Sequence, residues 1–303
     1  MKKSLNNSIT IAQKEFADNI WSPVFLLLLI TFTLIVFTYS YQNGLKVERV
    51  GLQDGTSLLL NGFAGLAKIM GFFAPLIGFA LGFDAVVKEK KSGSLNVLLT
   101  HPVFRDNIIS GKILGSFLTL ALVIVISTLI SIGTLLLIIG GTLNGFELGR
   151  IAVFSIITFF YSIIFMGIGV ILSIVVKDAA DSLVYNVVVW FVLCILFGAI
   201  VIAIATIITG QPFGIGTSSF ELALNMANIS PLHHYAEATV GRVDLSWGGI
   251  GFADASIKGI FDTRFTLFQW FGEFWMNLTV LIVTPIILLI IAFIAFLRKD
   301  IST

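Results

Sequence analysis

The chain has 303 residues, 57% of them hydrophobic and only 12% charged, with a mean hydropathy of +1.03. Soluble domains carry about 25% charged residues, so half that share points to a polytopic membrane protein. The net charge of +1 offers no general attraction to nucleic acid, and a single cysteine, Cys194 inside an apolar run, excludes a disulfide framework or a cysteine-based zinc cluster.

About twenty polar or amphipathic residues precede the first apolar run, and no small-residue cleavage site follows it, so the start does not read as a signal peptide. Within that stretch Ile9, Ala12, Phe16 and Ile20 recur at helical spacing, with Lys14, Glu15 and Asp18 on other faces. The pattern predicts an amphipathic helix lying in the headgroup layer. Trp21 would then sit at the interface, and Pro23 would open the first span, where its missing N–H costs nothing.

A bilayer core requires about 20 mostly apolar residues per helix. Six runs satisfy this: Pro23–Tyr41, Ile69–Val87, Ile113–Ile139, Ile151–Val176, Leu183–Ile208 and Leu278–Leu297. Helices are the only open-ended structures that satisfy their own backbone in lipid, so the expected fold is an all-α bundle of six transmembrane helices. Residues 1–303 read as one membrane domain, with a charged segment at 88–112 and an outer segment at 209–277. Gly78-x-x-x-Gly82 and Gly111-x-x-x-Gly115 are candidate sites of close helix approach, since small residues let backbones meet.

The stretch from Asp84 to Arg105 holds the densest charge in the chain, and 88–112 is the segment between the second and third spans. Ser94 is placed to cap a short helix with Leu95, Leu98 and Leu99 on one face. Pro102 stops that helix, Arg105-Asp106 marks a turn, and Ile108, Ile109 and Gly111-Lys112 lead back into the membrane. The lysines alone fit a solvated loop. Three leucines and Phe104 need a covering surface, and either lipid headgroups or another protein would serve.

An even number of spans leaves both termini on one side. That side carries 11 lysines and arginines against 7 on the other, although the other side is longer. Positive residues stay inside, which orients the termini and the charged segment toward the cytoplasm. The outer segment has glycine turns, the aromatics Trp247, Trp270, Phe271 and Trp275, and a helix start at Ser230-Pro231. It reads as short helices capping the outer mouth.

Chemistry-bearing patterns are sparse. Nothing acidic occupies a mid-span position, which weighs against a transporter driven by a proton or sodium gradient. Gly111-Lys112 lacks the upstream glycine of a P-loop. His233, His234 and Glu237 place imidazole and carboxylate on one helix turn, yet no third metal ligand stands out and the His-Glu-x-x-His pattern is missing. The pair reads as part of an aromatic-rich membrane surface. Neither a catalytic residue nor a metal ligand is assigned.

The run from Glu89 through Gly93, Leu95, Leu98, Leu99, Pro102 and Arg105 to Gly111-Lys112 resembles the signature of the type-2 permease family of ATP-binding-cassette transporters. Lys14-Glu15 resembles that family's elbow helix. Gly167-Ile168-Gly169 through Ser173, with Lys177 and Trp190, resembles its hairpin between the fourth and fifth spans. Ser230-Pro231 and Arg298-Lys299-Asp300 are similar to its outer segment and its ending. The resemblance implies a membrane subunit, an exporter by expectation, that works as a dimer with a second identical or related copy. Two separate ATPase subunits would hold the ATP and magnesium, and this chain would bind no cofactor. It further implies that the segment between the second and third spans is a coupling helix. Gly93, Leu95, Leu98, Leu99 and Pro102 would shape that contact, and Glu89 and Arg105 would orient it. The competing readings are a secondary transporter or channel that needs no ATPase, and an intramembrane metal enzyme built on His233, His234 and Glu237.

Overall fold

Six helices of the computed structural model are long and apolar enough to cross a bilayer, which makes this an all-α, multi-pass membrane protein. The structure describes residues 2–50, 57–88, 105–214, 216–241, 244–245, 250–251 and 259–298. Helix α1 (Lys2–Ile20) precedes the first span, α2 (Pro23–Val50). The second, third and fourth spans are α3 (Leu58–Gly82), α4 (Arg105–Ile139) and α5 (Gly145–Val175). The fifth is α6 (Ala179–Phe191), a π-turn at Val192–Leu196 and α7 (Phe197–Thr209). Two short helices, α8 (Ser218–Ala227) and α9 (Pro231–Val240), and a 3₁₀ turn at Gly259–Phe261 precede the last span, α10 (Leu267–Arg298). A two-residue antiparallel ladder, Asp244–Leu245 with Ile250–Gly251, is the only extended pairing among the described residues.

The helices overrun the lipid windows that hydropathy marks. Helix α4 has 35 residues, roughly 50 Å at 1.5 Å per residue, against a hydrocarbon core of about 30 Å. Helix α3 begins at Leu58, so Lys68 lies inside it rather than in a loop before it. Helix α10 begins at Leu267, with a break from helical geometry at Phe274. Side-chain capping sets several of the starts. Asn144 and Glu147 form a reciprocal capping box on α5, Asp178 caps α6, and Thr217 caps α8.

Spans two and four form the interior. In each, 61% of the apolar window is buried, against 17% for the fifth span and 22% for the first and last. Glycine explains how close they come. A side chain at Gly78 would strike the Ser162 carbonyl oxygen, and one at Gly82 would meet that of Met166 at 2.6 Å. The aromatic pairs Phe79–Phe165 and Phe63–Phe154, edge to face at 5.4 and 6.3 Å, lock the rest of this contact.

Pro75 lies inside α3. With no N–H to offer, it leaves the Gly71 carbonyl without its helical donor. Tyr161 of α5 supplies one, its hydroxyl donating to Gly71 O at 2.8 Å, and Trp190 of α6 donates from Nε1 to the next carbonyl, Phe72 O, at 2.9 Å. A proline break in lipid is tolerated when neighbouring helices re-satisfy the freed backbone. Tyr161→Phe is therefore expected to lower stability by about 1–2 kcal/mol, because it strands a buried acceptor. The midpoint of unfolding in detergent measures this.

Candidate functional site

The segment that carries the resemblance lies between α3 and α4. Glu89, Gly93, Leu95, Leu98, Leu99 and Pro102 fall outside the described residues. Arg105 is described, as the first residue of α4. What the structure places are the two ends from which that segment hangs.

The end leaving α3 is tied to the hairpin of spans four and five. Past Gly82 the backbone N–H groups of Val86 and Val87 both donate to Ser173 Oγ, at 2.9 and 3.0 Å. Ser182 Oγ donates to Phe83 O at 2.6 Å, and Asn186 Nδ2 donates back to Ser182 O at 2.7 Å. Val86 also packs in a small apolar cluster with Ile108, Ile109, Val170, Ile174 and Phe296. Both serines are fully buried, so each hydroxyl does work that no water can take over.

The end entering α4 is tied to α1. Gly111 and Gly115 face this amphipathic helix rather than another span. A side chain at Gly111 would meet Ile11 Cβ at 2.6 Å, and one at Gly115 would meet Glu15 Cβ at 2.6 Å and Ala12 O at 2.8 Å. Between the two glycines Lys112 Nζ donates to Glu15 Oε1 at 2.8 Å, with the lysine side chain 7% and the glutamate 16% exposed. Ser8 to Asn107 and Asn19 to Thr119 extend the seam with longer hydrogen bonds. The sequence gives no hint that Glu15 and Lys112 meet, because they are 97 residues apart and nothing local pairs them.

The opposite face of the bundle is closed by polar clamps. Arg150, near the start of α5, is fully buried. Its guanidinium donates to the carbonyls of Ile260 and Phe265 and lies 4.7 Å above the Phe146 ring. It fastens the 3₁₀ turn and the approach to α10 onto the fourth span. Counted by sequence it is simply a loop cation.

His233 and His234 are both 4% exposed, so they belong to the packed interior between α9 and α10 and not to a membrane-facing surface. His234 Nε2 lies 2.7 Å from Asn228 O and its Nδ1 lies 3.2 Å from Asn277 Nδ2. With Nε2 protonated, the ring donates to the carbonyl and accepts from the amide, and is neutral. Asn277 also donates to Glu237 Oε2 at 2.8 Å, and His233 Nε2 sits 3.4 Å from Glu237 Oε1. The four side chains thus join α9 to α10. No group of three metal-binding side chains is present among the described residues.

Burial holds the His234 imidazole below its usual range, outweighing the Asn228 carbonyl and the Glu237 charge, which both favour the proton. The unfolded histidine, at about 6.5, takes up its proton first as pH falls. Stability contributed by the neutral ring is therefore full above that value and is lost as pH falls toward the lower folded-state pKa. The unfolding midpoint in detergent is expected to drop between pH 7.5 and 5.5, and His234→Gln is expected to flatten that slope.

Similarity to known proteins agrees with this architecture. Residues 9–301 match the family model described as "ABC-2 family transporter protein". The "Probable ABC transporter permease protein NosY" of Stutzerimonas stutzeri is 27% identical over 211 residues, 68% of this chain and 74% of that protein. The protein of the same name from Pseudomonas aeruginosa (strain PAO1) is 28% identical over 206 residues, 67% of this chain and 72% of its own length. With the family match running from α1 to just beyond the last span, the chain belongs to the ABC-2 family of transporter proteins.

Proposed function

We propose that the chain is the membrane-spanning permease subunit of an ATP-binding-cassette exporter, moved by a separate ATPase that docks on the segment 88–112 from the cytoplasm, between Glu89 and Arg105. The observation that carries this reading is the double anchorage of that segment. One end is bonded through Ser173 and Ser182 to the hairpin of spans four and five, and the other through Lys112 and Glu15 to α1. A displacement that reaches these two ends acts on two separate parts of the bundle, the hairpin of spans four and five and α1.

The ATPase does work on the bundle only if it contacts the inward- and outward-facing arrangements with different energies. Leu95, Leu98 and Leu99 supply the apolar contact, Gly93 and Pro102 shape it, and Glu89 and Arg105 orient it by charge. ATP and magnesium stay on the partner. Two copies, identical or related, assemble so that two ATPase subunits act on twelve spans. The termini share the cytoplasmic side with the docking segment, in keeping with the excess of lysine and arginine there.

The test is co-reconstitution with the cognate ATPase in vesicles. Leu98→Asp combined with Leu99→Asp is expected to abolish stimulation of ATP hydrolysis by the permease and to stop nucleotide-driven transport. Unchanged coupling in that variant overturns the reading. Gradient-driven transport by the permease alone would favour a secondary transporter instead.

A further inference from the structure

Beside the Glu15–Lys112 pair lies a cavity of about 360 Å³. Its polar end is formed by Lys14, Glu15 and Asp18 of α1, Asp84 and Lys88 beyond α3, and Lys112 of α4. Its other end is hydrocarbon, with Phe25 and Leu28 along the first span and Leu81 opposite. Val24, at the rim, is 61% exposed, and the adjoining Trp21 is 79% exposed. Tryptophan at such a position marks the membrane–water boundary. The opening thus lies where headgroups give way to acyl chains.

The charges select the ligand. Three ammonium groups and three carboxylates cancel, so neither a simple anion nor a simple cation meets a net attractive field. A molecule that carries both signs a few ångströms apart does. Glu15 and Lys112 are already committed to each other at 2.8 Å, while Lys14 and Asp18 approach only to 3.9 Å on an exposed face. Burial pushes the Asp84 carboxyl above its usual range, against the pull of Lys88 and Lys112, so a cation arriving beside it is stabilised. An ammonium with N–H donors satisfies that carboxylate by charge-assisted hydrogen bonds. A trimethylated one has no donor to give.

We propose that this cleft binds the headgroup of a zwitterionic aminophospholipid from the surrounding leaflet, its ammonium on Asp84 and Asp18, its phosphate on Lys14 and Lys88, and its acyl chains along Phe25 and Leu28. Such a lipid wedges between α1, the first span and the α3 exit, beside one anchor of the docking segment. The site is independent of the cargo and of the direction of transport.

Native mass spectrometry of the full-length, delipidated protein tests this with phosphatidylethanolamine, phosphatidylcholine and phosphatidylglycerol of matched acyl chains. Phosphatidylethanolamine should be retained about tenfold more strongly than the other two, the discrimination expected of one charge-assisted contact. Asp84→Asn should erase that preference without changing the unfolding midpoint. Asp18→Asn, on the exposed rim, should weaken it and serves in its place if Asp84→Asn does not fold. Excess free phosphoethanolamine should fail to displace the lipid. Equal retention of the three lipids, a preference that survives these substitutions, or displacement by the free headgroup would each overturn the assignment.

Discussion

Arg150→Leu is expected to destabilise the fold by about 3–5 kcal/mol, because a charged donor to buried carbonyls contributes about 1.5–3 kcal/mol per bond and its loss leaves the acceptors unpaired. The guanidinium is fully buried, and the carbonyl of Ile260, itself fully buried, would have no water to turn to. Ile260 and Phe265 both belong to the segment that leads into the last span, so the loss should loosen the 3₁₀ turn and the start of α10. Arg150→Lys should recover only part of the stability. A lysine is a single point of charge, whereas the fork of arginine reaches two carbonyls at once. Phe146→Leu isolates the stacking contribution, about 0.5–2 kcal/mol for a cation over a ring. The unfolding midpoint in detergent ranks the three variants, and a Leu variant no less stable than the Phe146 one would show that the clamp is decorative.

Lys112→Ala should be nearly as costly, about 3 kcal/mol, since breaking a largely buried ion pair strands its partner. Glu15→Ala should cost somewhat less, because the lysine stem can reach toward water. The combined Lys112→Met, Glu15→Leu variant should return close to the parent stability, as replacing both members of a buried pair with apolar side chains often does. Function separates what stability does not. If the pair holds one anchor of the docking segment, the stable double variant should still bind the ATPase and yet transport less per ATP hydrolysed. Full coupling in that variant would reduce the pair to packing.

The spans were legible because hydropathy is a local, additive property: a run of apolar residues predicts its own burial in lipid without reference to any neighbour. The ends of the helices were less so. Helix α10 continues past the lipid on polar and aromatic residues that hydropathy reads as loop, held by contacts such as Trp270 Nε1 to Ala238 O, and α3 starts as early as Leu58, on a mostly apolar stretch ahead of Lys68. The segment proposed to dock the ATPase was read from a pattern of residue types, and most of it falls outside the described residues.

Composition and order alone determined that this is a six-span membrane protein with one charged segment between its second and third spans. A resemblance spread along almost the whole chain named the family. Tertiary structure alone decided that Gly111 and Gly115 open onto α1, that Lys112 meets Glu15, that Ser173 and Ser182 seize the α3 exit, and that Arg150 and the two histidines are interior. Each of these is a pairing between segments distant in sequence. A polar side chain in a membrane protein can answer its charge or hydrogen bond in water, in headgroups or against another helix. Which one it finds is set only when the helices have chosen their neighbours.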